Sequence, residues 1–246
     1  MNTLQLSETE NYYIENLEFD PSKYNLSFYS ESRNLILNIF NENEERYYSC
    51  RFIIRRGHGY LSSVLIFITF YKIEKILMPL LVEYELQDKL ILKYLNEVRT
   101  VSIKNFESFS SNELRSNFPI YQVETEEQKL FVLSQMNNIW KNNANRFFNN
   151  FRDIRDLLPY LEVEDEKLID YINPIFGQQR KLIVWWLCSH PGYENYYDFY
   201  LNRLIKLQEK GTKEKLKRYL NITEMLNNRL RQIKPIYKWD KKYLSK

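Results

Sequence analysis

Glycine is scarce in this chain, with five in 246 residues, and proline (seven), histidine (two) and cysteine (two) are few as well. Such a shortage of glycine weighs against glycine-rich phosphate loops and against a many-stranded barrel or sandwich, whose tight turns depend on it. With only His58 and His190, any imidazole chemistry has two possible addresses. Neither has a second His, Cys or Glu at the spacing of a metal site, and neither adjoins a serine or cysteine in a nucleophile motif. Cys50 and Cys188 lie far apart inside apolar stretches and read as two reduced core thiols, so no disulfide framework or zinc knuckle follows. A signal-peptide pattern is missing too, since Met1 leads into a polar and acidic run, and the cytoplasm is the expected compartment. The most hydrophobic window, residues 60–82, carries Lys72, Glu74 and Lys75 in its middle. Charge there is expensive in lipid, so the window reads as a strand followed by a helix, and no membrane partner is expected.

Aromatic residues, by contrast, are plentiful. Twenty Tyr, 15 Phe and four Trp in a chain that is 44% hydrophobic supply ample apolar surface to offset the entropy of ordering it. The length allows one large domain or two small ones. Charge is segregated: the last 44 residues hold 14 Lys or Arg against four Asp or Glu, while the rest hold 21 against 28. That asymmetry shapes long-range encounter with charged partners and permits head-to-tail association of copies.

Along the chain, residues 4–17 read as a short helix or a loose terminus before Asp20-Pro21. Residues 34–39 alternate as a strand, 41–45 as a turn, and 46–56 as a second strand with Tyr48, Cys50, Phe52 and Ile54 on one face. Gly57-His58-Gly59 supplies the positive φ of a reversal, and residues 60–71 return as a third strand, giving an antiparallel meander. Ile73, Ile76, Leu77, Leu80 and Leu81 then repeat at helical spacing, with Pro79 expected to kink or split the helix. Residues 90–94 prolong it or start another, 100–103 suggest one more strand, and 104–117 a loop with a short helix.

From residue 123 the pattern is helical throughout. A long helix through Leu130, Met136, Trp140, Phe147 and Ile154 should break near Asn149-Asn150 and stop at Pro159. Helices follow over 165–172, 178–189, 193–210 and 213–233, the last with Thr212 as N-cap and a stripe of Leu216, Leu220, Thr223, Leu226, Leu230 and Ile233. The expected fold is α+β: a small antiparallel β-meander with helices in residues 1–122, then an all-helical region of antiparallel helix pairs in 123–246.

Candidate chemistry is limited to surfaces. Arg55, Arg56 and His58 form a cationic cluster at a turn, able to meet a phosphate or a carboxylate; the alternative is an ordinary solvated turn. His190 precedes Pro191-Gly192 at a helix end, where it serves as a cap. The carboxylates at 42–45, 124–127 and 162–166 fall in turns or helix starts, where acids suit solvent and the helix dipole, so catalytic and metal sites are not expected and no cofactor is implied. In the basic segment, Lys213, Lys217, Arg218, Arg229 and Arg231 decorate a helix and Tyr237 and Trp239 lie among lysines beyond it. Nucleic acid is a possible partner there, with aromatics stacking on bases; the alternative is that they dock the terminus back on the body.

Two stretches, residues 145–153 (NRFFNNFRD) and 180–187 (RKLIVWWL) followed by Pro191-Gly192-Tyr193, together with the order of elements, resemble α+β immunity-type proteins of bacterial toxin systems. That resemblance implies stoichiometric inhibition of a protein partner, with no catalytic residues. Protein binding is thus the leading expectation, nucleic-acid binding the alternative, and a hydrolase or nuclease with a site assembled from distant carboxylates the third.

Overall fold

The structure is a computed structural model that describes residues 5–103, 120, 122–168, 171–211 and 214–244. The expected loop at 104–117, Thr212 and Lys213 lie outside the described residues. Two compact units emerge, each assembled from two chain segments: Met1–Ile68 with Ser102–Asn150, and Thr69–Val101 with Phe151–Lys246.

Five strands form one antiparallel sheet in sequential order: β1 (Asn25–Glu31), β2 (Asn34–Glu42), β3 (Arg46–Arg55), β4 (Leu61–Phe70) and the short β5 (Val101–Ser102). The sheet is therefore longer than the three-stranded meander read from the sequence, with β5 falling where residues 100–103 suggest one more strand. β1 was not anticipated, and it pairs with β2 along its whole length, from Asn25 opposite Phe40 to Glu31 opposite Asn34. Both faces of β3 are covered, because Tyr47, Ser49 and Arg51 are buried as well as Tyr48, Cys50, Phe52 and Ile54. The polar side chains satisfy one another: Asn38 donates to the Tyr47 hydroxyl at 2.8 Å, Ser49 donates to Asn38 Oδ1 at 2.8 Å, and Arg51 Nε donates to Ser49 Oγ at 3.2 Å. Buried polar groups are tolerated when each finds a partner in this way.

Helices complete the first unit. α1 (Glu8–Asn16) starts on a capping box in which Ser7 and Glu10 satisfy each other's backbone amides. α3 (Glu126–Ile139) starts on another, Thr125 with Gln128, and runs into a π-helical turn, Trp140–Ala144, before α4 (Asn145–Asn150). The π turn carries Trp140 into an aromatic cluster with Tyr24 (4.8 Å between centroids) and Phe148 (6.1 Å), and Phe148 stacks on Tyr48 at 4.9 Å. Inserted turns of this kind re-aim side chains that a regular helix would misplace.

The second unit is built around α2 (Tyr71–Glu83), which runs unbroken through Pro79. The expected split does not occur, since the hydrophobic stripe Ile73, Leu77, Leu80 and Leu81 is wholly buried and holds the helix across one missing hydrogen bond. Residues Lys89–Leu92 form a 3-10 turn. After Asn150 the chain makes a 3-10 turn and then α5 (Leu158–Leu161), with Pro159 in its first turn. Pro159 thus begins a helix where it was expected to stop one, as its fixed φ suits the first turn. Next come α6 (Asp165–Leu168), α7 (Gly177–Leu187), α8 (Tyr193–Glu209) and α9 (Glu214–Arg231). Tyr193 and Glu194 at the start of α8 meet Asn227 and Arg231 near the end of α9, so these two helices are antiparallel. Of the expected α9 stripe, Thr223, Leu226 and Leu230 are buried, joined by Ile222. Both cysteines are free and buried, and burial pushes the Cys188 thiol up to about 12.

Candidate functional site

Each unit carries a concavity that gathers residues from several elements, and the second unit has a further one of about 500 Å³ along one face of α8, lined by Phe199, Asn202, Arg203, Lys206, Leu207 and Lys210. In the first unit the β1–β2 turn and the β3–β4 turn are tied together by the Arg56 amide donating to the Arg33 carbonyl at 3.0 Å. Gly57 (φ 76°) and Gly59 (φ 68°) close the second turn as the sequence predicts, and Ser32 closes the first at φ 55°. Gly59 also admits α1: a Cβ there would sit 3.0 Å from Thr9, and the Tyr13 hydroxyl donates to the Gly59 carbonyl at 2.9 Å. Between the two turns and the start of α1 lies a cavity of about 600 Å³, whose lining includes Gln5, Ser7, Glu10, Arg33, Arg55, Arg56 and His58.

The arginines differ in what they are doing. Arg56 is a strut, with Nε 3.4 Å from Glu10, Nη1 donating to Ser30 Oγ at 3.2 Å, and Nη2 donating to the Gln5 carbonyl. Among the described residues, the side chains of Arg33, Arg55 and His58 have no hydrogen-bond or ion-pair partner. Arg55, Arg56 and His58 are therefore brought together as a cluster, and the structure adds Arg33 and the buried Glu10, which the sequence reading missed.

The basic C-terminal candidates are scattered by comparison. Lys217 is exposed on α9. Arg218 lies 3.9 Å from Glu214, Arg231 lies 2.7 Å from Glu194, and Arg229 donates to the Ile76 carbonyl at 3.4 Å. Tyr237 and Trp239 pack within the second unit: the Tyr237 amide donates to the Leu187 carbonyl at 2.9 Å, its hydroxyl to Asp153 at 2.9 Å, and Arg155 sits 4.2 Å from its ring centroid. Trp239 meets His190 edge-on at 4.2 Å. His190 also stacks on Trp185 at 3.9 Å, accepts the Gly192 amide on Nδ1 at 3.0 Å and places Nε2 2.7 Å from Glu162. Its backbone amide closes the end of α7 by donating to the Trp185 carbonyl at 2.8 Å, while its side chain is spent on Gly192, Glu162 and the two tryptophans and not on the helix carbonyls as the sequence suggests. Asp165 is likewise occupied, accepting from the Tyr196 hydroxyl at 2.6 Å and from Arg203 at 3.2 Å. Beside it, burial pulls the Lys181 amine down against the opposing pull of Asp165 and Glu162.

Asp153 gives the tail a pH signature. Burial pushes its carboxyl up, but hydrogen bonds from the Arg155 side chain and backbone and from Tyr237 outweigh that and hold it below the usual 3.8. A depressed native value means stability that is present above the unfolded value and is lost as pH falls through the native one. We expect Asp153→Asn to cost about 1.5 kcal/mol near neutrality, the scale of hydrogen bonds to a charged group. In urea titrations at successively lower pH, the gap between wild type and variant should close below 3.8; a gap that is constant with pH would show that the charge plays no part.

The second concavity is a cleft of about 360 Å³ in the second unit with a mixed lining, in which Met78, Leu81, Ile91, Val98, Ile175 and Phe176 stand beside the polar Gln87, Glu97, Arg99, Asn173 and Arg180. Asn173 fixes one wall: its amide donates to the Thr100 carbonyl at 2.9 Å, its Nδ2 to the Arg99 carbonyl at 2.8 Å, and its Oδ1 accepts the Ile175 amide at 3.0 Å. Phe176 follows in the left-handed region at φ 61°, its ring stacked on Tyr219 at 4.9 Å. A bulky residue held there costs about 1–3 kcal/mol and persists only where its surroundings over-determine it. Arg180, also in the lining, donates twice to Glu74, at 2.8 and 2.9 Å, and once to the Ile175 carbonyl. Thr100 donates to the same carboxylate at 2.7 Å. Leu90, Leu92, Tyr94 and Ile175 are 58, 42, 56 and 56% exposed on the cleft or on and beside the turn that carries Ile91.

No family model, curated protein or solved structure matches this chain. Among the described residues, no group of three or more His, Cys, Asp or Glu is placed to hold a metal ion, and no helix is long and apolar enough to cross a membrane.

Proposed function

We propose that this chain acts by binding another protein, without making or breaking bonds, and that the partner seats an apolar side chain in the cleft beside Ile175. One observation carries this reading: Ile175 is a large hydrophobic side chain left exposed in the lining of a preformed cleft, and Leu90, Leu92 and Tyr94 are exposed on and just after the turn that brings Ile91 into the same lining. Exposed apolar surface of that kind, bordered by polar groups, is what a docking partner covers. The strained Phe176 and the bonded Asn173 hold the wall in advance of binding, which limits the ordering cost of association. The resemblance to immunity-type proteins gives the reading its finer form, occlusion of a toxin by a stoichiometric inhibitor. Nucleic-acid binding through the C-terminal segment competes with it, but Tyr237 and Trp239, the residues that would stack on bases, are engaged with Asp153, Arg155 and His190.

The test is affinity purification of the tagged chain from cells that carry its gene, beside the Leu90→Asp/Ile175→Asp variant. We expect a protein that co-purifies in equal amount with wild type and is lost with the variant, while far-ultraviolet circular dichroism of the two is the same. The inhibitor form further requires that protein to arrest growth when expressed alone and to be harmless when the chain is present. A partner retained undiminished by the variant would remove the cleft from the reading.

A further inference from the structure

Nothing in the protein-docking reading uses the cavity of the first unit, and its chemistry differs from that of the cleft. We propose that this cavity is a receptor for a phosphate group bearing two or more negative charges, with Arg33 and Arg55 as the residues that hold it and His58 as an additional donor. Three guanidiniums line one cavity and, among the described residues, two of them, Arg33 and Arg55, have no acceptor, although arginine readily finds carboxylates or carbonyls where they are within reach. Cations of like sign placed together without counter-charge repel, and a multiply charged anion relieves that repulsion while taking paired N–H donors from each fork.

The surroundings favour the same ligand. Glu10, the acid in the lining, is spent on Arg56 and on the Ser7 amide, so it does not neutralise Arg33 or Arg55. Arg56 in turn is fixed by Glu10, Ser30 and Gln5, and it acts as a positioning residue that ties the start of α1 to the turn bearing Arg55. Gly57 leaves open space where a Cβ would stand, which lets a ligand approach the turn closely. Of the lining residues only Leu6 is apolar, and none is Phe, Tyr or Trp, so the cavity is built for charge. A volume of about 600 Å³ exceeds what one carboxylate would fill and suits a diphosphate or a phosphorylated small molecule.

The experiment is calorimetric titration of the full chain with pyrophosphate, adenosine triphosphate and adenosine in parallel. Pyrophosphate and the triphosphate should bind saturably, with similar affinity and one per chain, and adenosine should not bind. Arg33→Ala and Arg55→Ala should each weaken pyrophosphate binding about tenfold, the scale of one lost charge-assisted contact, while Lys217→Ala on α9 leaves it unchanged. Vesicles containing phosphatidate separate the two sources of the group: pyrophosphate binding without vesicle binding assigns a soluble ligand, and vesicle binding displaced by pyrophosphate assigns a lipid headgroup. Three outcomes overturn the proposal: no saturable binding of pyrophosphate, binding that Arg33→Ala and Arg55→Ala leave intact, or a loss with Lys217→Ala as large as theirs. Because the readout is a small anion, it is independent of whether any protein docks at the cleft.

Discussion

Glu74→Ala should destabilise the protein by about 3–5 kcal/mol, the cost of stranding one member of a buried ion pair. Glu74 is fully buried and Arg180 is 2% exposed, and the carboxylate serves three donors at once: Arg180 Nε, Arg180 Nη2 and the Thr100 hydroxyl. Removing it leaves a guanidinium that is 2% exposed without its counter-charge. The pair in itself need not be a large net stabiliser, since desolvating two ions offsets most of their attraction. The companion double variant Glu74→Leu/Arg180→Met should therefore recover most of the loss, and urea titrations of the three proteins distinguish the cases. A Glu74→Ala protein within about 1 kcal/mol of wild type would mean that the site relaxes and admits solvent, contrary to the burial argument. Since Arg180 also donates to the Ile175 carbonyl, the single variant should loosen the wall of the cleft and weaken partner binding along with stability.

Phe148→Ala is the counterpart in the first unit, with an expected loss of about 3–5 kcal/mol from the removed transfer energy and the cavity left behind. Its ring is 2% exposed and contacts Tyr48, Trp140, Tyr24 and Phe147 at centroid distances of 4.9, 6.1, 6.3 and 6.0 Å. Aromatic neighbours are stiff and cannot collapse into the hole as leucines partly do. Phe148→Leu should retain more than half of the lost stability. Native-state hydrogen exchange is the sharper measurement: protection should fall in β2, β3 and α3, whose amides report the unit that holds the cluster. An unchanged exchange pattern there would show that the cluster is ornamental to that unit.

What could be read in the chain follows the contrast between buried and exposed faces. α2 was legible because a one-sided stripe from Ile73 to Leu81 is buried and its opposite side is not. β1 was not, because as an edge strand it buries neither face fully: Phe28 and Tyr29 are 44 and 38% exposed, so Asn25–Glu31 shows no clean alternation. Missing β1 also hid Arg33, which is placed beside Arg55 only by the β1–β2 turn. The cationic cluster itself was visible, since Arg55, Arg56 and His58 are neighbours in sequence, although the division into two open arginines and one strut needs coordinates. The cleft had no local signal at all, as its walls come from residues 78 to 180. For the tail, abundance of Tyr, Trp and Lys fits both base stacking and self-docking, and only the hydrogen bonds of Tyr237 separate the two.

Because each unit borrows a piece of the chain from beyond the other, the polypeptide is braided: residues 69–101 leave the first unit and residues 102–150 return to it. No single scissor point can liberate either body whole. Fragments expressed to map activity would each carry an orphaned strand or helix, and silence from such a fragment would report a spoiled scaffold before it reported a missing function. Point substitutions in the intact polypeptide are the proper scalpel for this molecule.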